Sequence, residues 1–511
     1  MKPPDRSSPT SRGDVLVAID VGTSGARAVL FDLDGHRLAE RRRSYQTQSP
    51  KPNWAEQDAR AWRSASLGAL AALVRGLGPG ARVRAIGLTG QCPSVVPVDR
   101  RGVPVAPGMT YRDNRAVFEA AEIRARWGDA VVHRRTGHLP AAFHVGAKVL
   151  WLRRHLPDVF DRTYRFLQPR DLVALALTGE WATDGSHAAA TLFYDLHARR
   201  WDPGLLAAFD LPADSWPPLH DPWEVLGTVR PSLAARLGLV GRVPVILGGA
   251  DSQACALGAG VVAAGPVSEM AGSSTCLNAA VAKPLDVLAV THYPHVVPGI
   301  YTTETGINTT GAAVTWLAGL MFGGRRGRPL AEDWARLDAE AALVAPGSDG
   351  ILALPVLGDG ERDDPDVRGA FTGLSLQHGR GTIVRTMMEG IAFEIDQHLD
   401  LLREAGTPVT ELRVSGGGAR LRTWNQIKAD VLGISVSAIA GDAAGTGTAM
   451  LAGIGAGVYR DVAEATARCV HVAERREPGT ANSAIYRTIA PRYRELAGSA
   501  LVRRDEGAQN R

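Results

Sequence analysis

One pattern constrains the fold of this chain more than any other: a short apolar strand, a turn of small polar residues and a second strand, written twice. Residues 14–21, DVLVAIDV, form a Val/Ile-rich run that predicts a buried strand. A Gly-Thr-Ser-Gly turn follows, and ARAVLFDLDG then reads as a second strand closed by an Asp-Gly turn. After Gly265 the pattern restarts in VSEMAGSSTCLNAAV, residues 267–281. Between the two copies, residues 58–76, 144–156 and 171–178 have helical spacing, and VRAIGLTG (83–90) predicts another buried strand. PVILGGADSQACALGAG (244–260) reads as a strand, a glycine turn and a helix. LRVSGGGAR (412–420) gives a third glycine turn before the helical WNQIKADVLG. The dense prolines from Pro203 to Pro231 predict irregular connections. No short-period repeat or low-complexity segment interrupts this plan. The expectation is two related α/β domains with a hinge near 258–266, within the two to four domains that about 150 residues per domain allows for 511 residues.

Composition removes several function classes. With 45% hydrophobic and 22% charged residues, the chain is neither disordered throughout nor a small stapled scaffold. A net charge of +4 is too thin by itself to predict nucleic-acid binding, which needs a basic patch or stripe. Lysine occurs at only five positions, 2, 51, 148, 283 and 428, so arginine carries the positive charge, which we read as genome composition bias. Cys92, Cys255, Cys276 and Cys469 have no CxxC spacing, which removes zinc ribbons and thioredoxin-like motifs and fits a reducing cytosol. Residues 1–13 read as a disordered tail with no apolar signal-peptide region. The weakly charged stretch Val243–Ser268 holds Asp251 and many Gly and Ala, which suits close packing rather than a membrane span. A cytoplasmic protein without membrane or nucleic-acid partners is expected.

The turns carry the candidate chemistry. A tight hairpin of small residues exposes N–H groups and hydroxyls that form an anion-binding concavity. Gly22 lets the backbone approach closely, Thr23 and Ser24 add hydroxyls, Asp20 can hold a hydrated cation, and Arg27 can act as a phosphate fork. An ordinary hairpin turn explains the same residues. AGSST (271–275) and SGGG (415–418) suit phosphate or plain close packing. Neither a Walker A sequence nor a full GxGxxG fingerprint is present, so a nucleotide would bind here without a P-loop lysine. Asp251, within GGADSQACALGAG, is a carboxylate in an apolar stretch, where burial is costly without a partner. It reads either as a general base or as a helix N-cap. The thirteen histidines contain no HExxH, and His133, His138 and His144 suit loop or surface roles rather than a metal.

Nine segments in order then resemble the FGGY family of carbohydrate kinases, within the actin/hexokinase-like (ribonuclease H-like) ATPase fold. They are IDVGTSGARAVLFD, WAEQD (54–58), LTGQ (88–91), GGADSQACALGAG, EMAGSST, TTGAAVTWL (309–317), LPVLGDGERDDPDVRGAFTGL (354–374), SGGGARLRTWNQIKADVLG and GTGTAMLAG (445–453). The resemblance implies two such domains around a central cleft: residues 14–258 with the sugar and first phosphate loop, residues 259–490 with the nucleotide, and a C-terminal tail at 491–511. It implies ATP and Mg²⁺ as cofactors, a small sugar as substrate, and it is compatible with a homodimer.

By the same resemblance, Asp251 is the base that deprotonates the sugar hydroxyl, and Asp20 acts through Mg²⁺-bound water. Thr23, Ser24, Arg27, Ser273 and Ser274 would hold phosphates, and Gly311, Gly417 and Gly418 would border the adenosine. Gln91, Cys92, Asp113, Phe143 and Ser252 would line the sugar pocket, with Tyr111 nearby. The layout is most similar to the xylulokinase members, which implies phosphorylation of a pentulose or related ketose. The chain departs from them at Gln91-Cys92-Pro93-Ser94, where they carry Gln-Met-His-Gly and glycerol kinases carry Arg-Glu. It departs again at the second loop, which reads G-S-S-T for G-T-S-G, and at Ser252, where Gln or Asn is usual. A polyol kinase for xylitol, arabitol, erythritol or glycerol is the alternative within the class. A non-catalytic sugar- or nucleotide-binding regulator is the alternative outside it, disfavoured because Asp20, Asp251 and all three glycine-rich loops are retained.

Overall fold

A computed structural model of the protein describes residues 13–322, 331–358 and 366–499. The Gly-Glu-Arg part of the 354–374 motif and most of the expected N-terminal tail lie outside the described residues. Strand β1, Asp14–Val21, keeps Val15 through Ile19 at 1% exposure or less. A strand covered on both faces needs a continuous apolar run rather than alternation, which is the pattern its sequence carries. β1 pairs antiparallel with β2, Gly25–Phe31, and β2 with β3, Arg37–Ser44. On its other side β1 runs parallel to β4, Arg82–Gly90. The edge strand β5, Val225–Thr228, is antiparallel to β6, Pro244–Ile246, which is parallel to β4. The order is β5-β6-β4-β1-β2-β3. The charged RLAERRRS sequence of β3 suits an edge, where it opposes pairing with another chain.

Successive side chains of β1 enter different cores, as a period of two requires. Val15, Val17 and Ile19 pack with Ile86 and Leu88 against Trp62, Leu70 and Leu73 of the helix Ala59–Val74 and Leu172 of the helix Pro169–Thr178. Leu16 and Ala18 pack with Phe31 and Ile246 against Leu257 of the helix Asp251–Gly258 and Met450 and Leu451 of the helix Ala443–Gly455. Asp58 caps Ala59–Val74 by accepting from Arg60 N, which explains why that helix starts just after the WAEQD segment.

The second, seven-stranded sheet repeats the arrangement. β7, Gly265–Ala271, pairs antiparallel with β8, Thr275–Val281, and parallel with β9, Val409–Gly416. β9 is parallel to β10, Ser435–Ile439, which is antiparallel to β11, Val472–Arg476. The run β8-β7-β9-β10-β11 therefore has the same strand directions as β2-β1-β4-β6-β5. This is the two-domain α/β fold expected from the repeated hairpin.

The chain packs as two units, and they are not simple halves. The first holds residues up to Val262 together with Val281–Thr303 and Gly441–Val470. The second holds Ala263–Ala280, Glu304–Ala440 and the residues from His471 onward. The helix Ala443–Gly455, late in the chain, thus belongs to the first unit, because its small residues pack on Asp251–Gly258. Two expectations need correction. Residues 491–498, read as a tail, continue the helix Thr480–Gly498, whose Tyr493 is buried and donates to Glu394. His133, His138 and His144, read as loop or surface residues, are all buried. His133 Nε2 lies 2.8 Å from the Val290 carbonyl, and the His138 ring meets His144 and Tyr293 edge-on. Among the described residues no helix is long and apolar enough to cross a membrane.

Candidate functional site

In the first unit the carboxyl ends of three parallel strands line up. Asp20 of β1 stands opposite Thr89 of β4, Val21 opposite Gly90, and Gly90 bridges Ala250 beyond β6. Asp20, Gln91 and Asp251 therefore leave one sheet edge from adjacent strands, the edge at which open α/β sheets bind ligands. Thr23 is half-buried and Ser24 exposed in the hairpin loop. Gly25 is obligatory at the loop's end, since a Cβ there would lie 2.5 Å from the Arg43 carbonyl. Tyr45 donates to the Gly22 carbonyl, and Arg42 to Ser24 Oγ.

Asp20 divides its carboxylate between two tasks. Oδ2 accepts from Arg27 Nε at 2.7 Å, while Oδ1 is buried without a hydrogen-bond partner. Burial pushes its carboxyl above the ordinary value, against the pull of Arg27. The Arg27 guanidinium also lies 2.8 Å from Asp442, the residue that precedes the helix Ala443–Gly455. Arg27 is thus held between two carboxylates.

The WAEQD segment fixes the floor beside this loop. Gln57 donates to Thr23 O and Thr47 Oγ1, both at 2.7 Å, and accepts from Trp62 Nε1 at 2.6 Å and Gln91 Nε2 at 3.0 Å. It joins the first loop to Gln91, whose Oε1 is buried without a hydrogen-bond partner. Cys92 and Phe143 are half-buried. Asp113 is fully buried, with both oxygens engaged: it accepts from Ala55 N at 2.7 Å and from Arg115 at 2.6 and 2.8 Å. Arg115 in turn pairs with Glu56 and lies 3.4 Å over the Trp54 ring. Tyr111 is exposed. Behind Cys92-Pro93, the fully buried Lys148 donates to Thr110 O at 2.7 Å and Pro93 O at 3.4 Å, and burial pulls its amine down to about 7.

Asp251 is the first residue of the helix Asp251–Gly258, and Ala250 occupies the cap position. The N-cap alternative is therefore not realised, although Asp251 Oδ1 does accept from Ser252 N at 2.9 Å. Asp251 and Ser252 are half-buried.

In the second unit the expected phosphate and adenosine residues gather at the carboxyl ends of β7 and β9. Ser273 and Ser274 are exposed. The Ser273 carbonyl accepts from Thr310 N at 3.1 Å and Ala312 N at 3.0 Å. Gly311 is pressed so close to this loop that a Cβ would lie 2.1 Å from the Gly272 carbonyl. Ala271 pairs with Gly416, after which come Gly417, exposed, and Gly418, against the Ala271 side chain. Just below, Glu269 and Lys428 form a buried pair, with both carboxylate oxygens 2.7 Å from Nζ.

Sequence reasoning named Asp20, Arg27, Gln91 and Asp251 but missed what braces them. Asp442 is 415 positions from its partner Arg27, and no local signal joins them. Lys148 and Lys428 did carry a signal: two of five lysines lie inside apolar helical stretches, where a buried charge needs a partner. No group of three or more His, Cys, Asp and Glu that could hold a metal occurs among the described residues.

Comparison with known proteins bears on the family and the fold. The N-terminal domain model of the FGGY family of carbohydrate kinases matches residues 15–258, and the C-terminal domain model matches residues 268–456. The xylulose kinase of Escherichia coli K12 is 30% identical over 461 residues, 88% of this chain and 92% of the relative. The autoinducer-2 kinase of Yersinia enterocolitica is 29% identical, covering 98% of this chain and 97% of the relative. The solved structure of the xylulose kinase from Rhodospirillum rubrum is similar at a TM-score of 0.87 and 33% identity, covering 94% of this chain and 98% of that one. Both domain models are matched in order, the sheets repeat as that architecture requires, and the chain belongs to the FGGY family of carbohydrate kinases.

Proposed function

We propose that this ATP-using phosphotransferase acts on a hydroxyl of a pentulose or related ketose, with Asp251 as general base. The observation that carries the reading is the row of strand ends that brings Asp20, Gln91 and Asp251 to one sheet edge. Asp251 takes the hydroxyl proton as the sugar oxygen bonds to the γ-phosphorus; the bond to the bridging oxygen breaks and ADP leaves. Such a reaction asks mostly for positioning and charge neutralisation. In the first unit Thr23 and Ser24 offer hydroxyl and N–H donors suited to phosphate oxygens, and within the second unit Ser273 and Ser274 offer donors of the same kind. Arg27 spends each nitrogen on a carboxylate, yet its terminal nitrogens keep further N–H groups for phosphate. Gly311, Gly417 and Gly418 give the adenosine close access to backbone. Asp20 Oδ1, buried and without a partner, fits a hydrated Mg²⁺. Bound there, Mg²⁺ would supply neutralisation of phosphate charge.

For the sugar, Gln91 Oε1 is an acceptor awaiting a hydroxyl. The family resemblance assigns Cys92, Phe143 and Ser252 to the same pocket, and Asp113 serves by holding Arg115 and the 54–56 segment. Pro93 has no N–H, and Cys92 is a weak donor. Each sugar hydroxyl left unmatched costs about 1–3 kcal/mol. D-xylulose is therefore expected to be a poorer substrate than another ketose.

Coupled ADP release across pentuloses, hexuloses and polyols tests the substrate class. The expected result is kcat/KM highest for a ketose other than D-xylulose, and a polyol in first place would overturn the class. Asp251→Asn tests the base: kcat should fall by roughly 10²–10⁴ while ATP affinity stays nearly constant. Wild-type turnover in that variant would end the mechanism.

A further inference from the structure

The backbone turn that presents Asp251 is gripped by side chains from three other elements. Gly248 has φ +72°, and a Cβ there would lie 1.7 Å from the Leu88 carbonyl, so only glycine turns at this point. The Leu247 and Gly248 carbonyls accept from Arg170 Nη1 at 2.9 and 2.7 Å. The Gly249 carbonyl accepts from Thr89 Oγ1 at 2.8 Å. The Ala250 N–H, one peptide before Asp251, donates to Ser186 Oγ at 2.9 Å.

Two of these anchors converge on one carboxylate. Asp184 Oδ1 accepts from Arg170 Nη2 at 2.9 Å and faces His187 Nδ1 at 2.8 Å. Asp184 Oδ2 accepts from Ser186 Oγ at 2.5 Å and Ser186 N at 2.8 Å. Arg170, Asp184 and Ser186 are all at least 99% buried. The Ser186 hydroxyl proton is committed to Asp184, so its oxygen lone pair must face the Ala250 N–H. Arg170, Asp184 and Ser186 are thus fully hydrogen-bonded, although His187 Nε2 is buried without a partner, and a buried arrangement of this kind is rigid. It has one orientation available for the 249–250 peptide, one residue before Asp251.

We propose that Arg170, Asp184 and Ser186 are positioning residues for Asp251, fixing the 247–250 turn that immediately precedes it and so the point from which its carboxylate meets the substrate hydroxyl. This rests on Asp251 being the base. A general base must come within hydrogen-bond reach of the proton it takes, and a misplacement of about 1 Å costs on the order of 10²-fold in rate. Removing the Ser186 oxygen leaves the Ala250 N–H unheld and lets that peptide turn.

A double-mutant cycle between Ser186→Ala and Asp251→Asn, read as kcat, separates positioning from general damage. Ser186→Ala alone should lower kcat by about 10–100-fold, with KM for ATP within about twofold of wild type. In the Asp251→Asn background the same change should cost less than about twofold, because a residue that acts through Asp251 has nothing left to position. Ser186→Cys, nearly the same shape with a weak acceptor, should behave likewise and carries the test if the alanine variant does not fold. Equal losses in both backgrounds, or no loss at all, overturn the positioning role while leaving the base intact. Full turnover in Asp251→Asn overturns the base reading itself, and the positioning role falls with it.

Discussion

At the scale of single residues, the site is marked by polar atoms that the fold leaves short of partners. Asp20 Oδ1 and Gln91 Oε1 are buried acceptors with none, and burial of that kind persists where a ligand supplies the missing bond. Lys148 is the converse, a cation enclosed by carbonyls with its amine pulled to about 7. Above that pH the folded protein carries Lys148 neutral, whereas the unfolded chain keeps it protonated up to about 10.4. The unfolded state then binds more protons, so stability from this residue rises with pH between about 7 and 10.4, by up to ~1.4 kcal/mol per pH unit. Lys148→Met removes the titration. Urea unfolding at pH 7, 8 and 9 should show wild type gaining on the variant at each step, and a constant difference would contradict the buried, neutralised lysine.

At the scale of elements, what presents the helix that begins at Asp251 is the absence of side chains. A Cβ on Gly258 would lie 1.8 Å from the Ala443 carbonyl, and one on Gly447 would lie 1.9 Å from the Ala254 carbonyl. The helices Asp251–Gly258 and Ala443–Gly455 therefore meet backbone to backbone. Gly447→Ala should force them apart and cost about 1–3 kcal/mol or more. Gly498→Ala, with nothing within 4 Å of its Cβ, is the matched control and should stay within about 0.5 kcal/mol. Denaturant midpoints decide it, and equal midpoints would show that the contact relaxes freely. The glycine-rich character of 248–260 and 445–453 is legible as close packing, but the sequence does not say that the two segments pack on each other.

At the scale of the whole molecule, chain order and packing order differ. The sheet face formed by Leu16, Ala18, Phe31 and Ile246 is covered by Met450, Leu451 and Ala452, almost two hundred residues after the first unit's main segment ends. A fragment of residues 13–262 would keep Leu257 on that face but uncover the part under Met450, Leu451 and Ala452, and exposed apolar surface of this kind drives aggregation or loose collapse. We expect the fragment to bind a hydrophobic dye and unfold without a sharp transition by far-UV circular dichroism. A steep, two-state melt would show that Ala443–Gly455 is dispensable to the core.

The sequence by itself determined the two hairpins, the three glycine-rich loops, the helices that flank them and Asp251 as the carboxylate to watch. These features depend on periodicity, turn chemistry and φ preference, all written within about ten residues of one another. The N-cap alternative for Asp251 differed from the observed first-turn position by one residue, a margin that local preference does not resolve. Only the tertiary structure decided that Arg27 sits between Asp20 and Asp442, that Asp113 is absorbed by Arg115, and that His133, His138 and His144 are buried. It alone returned Ala443–Gly455 to the first unit and brought Arg170 and Ser186 to the turn before Asp251. Apart from the Asp113–Arg115 pair, two positions apart, each of these joins residues far apart in the chain. Their meeting depends on how sheets and helices stack to exclude water and satisfy buried polar groups, and such long-range pairing leaves no pattern in either local segment.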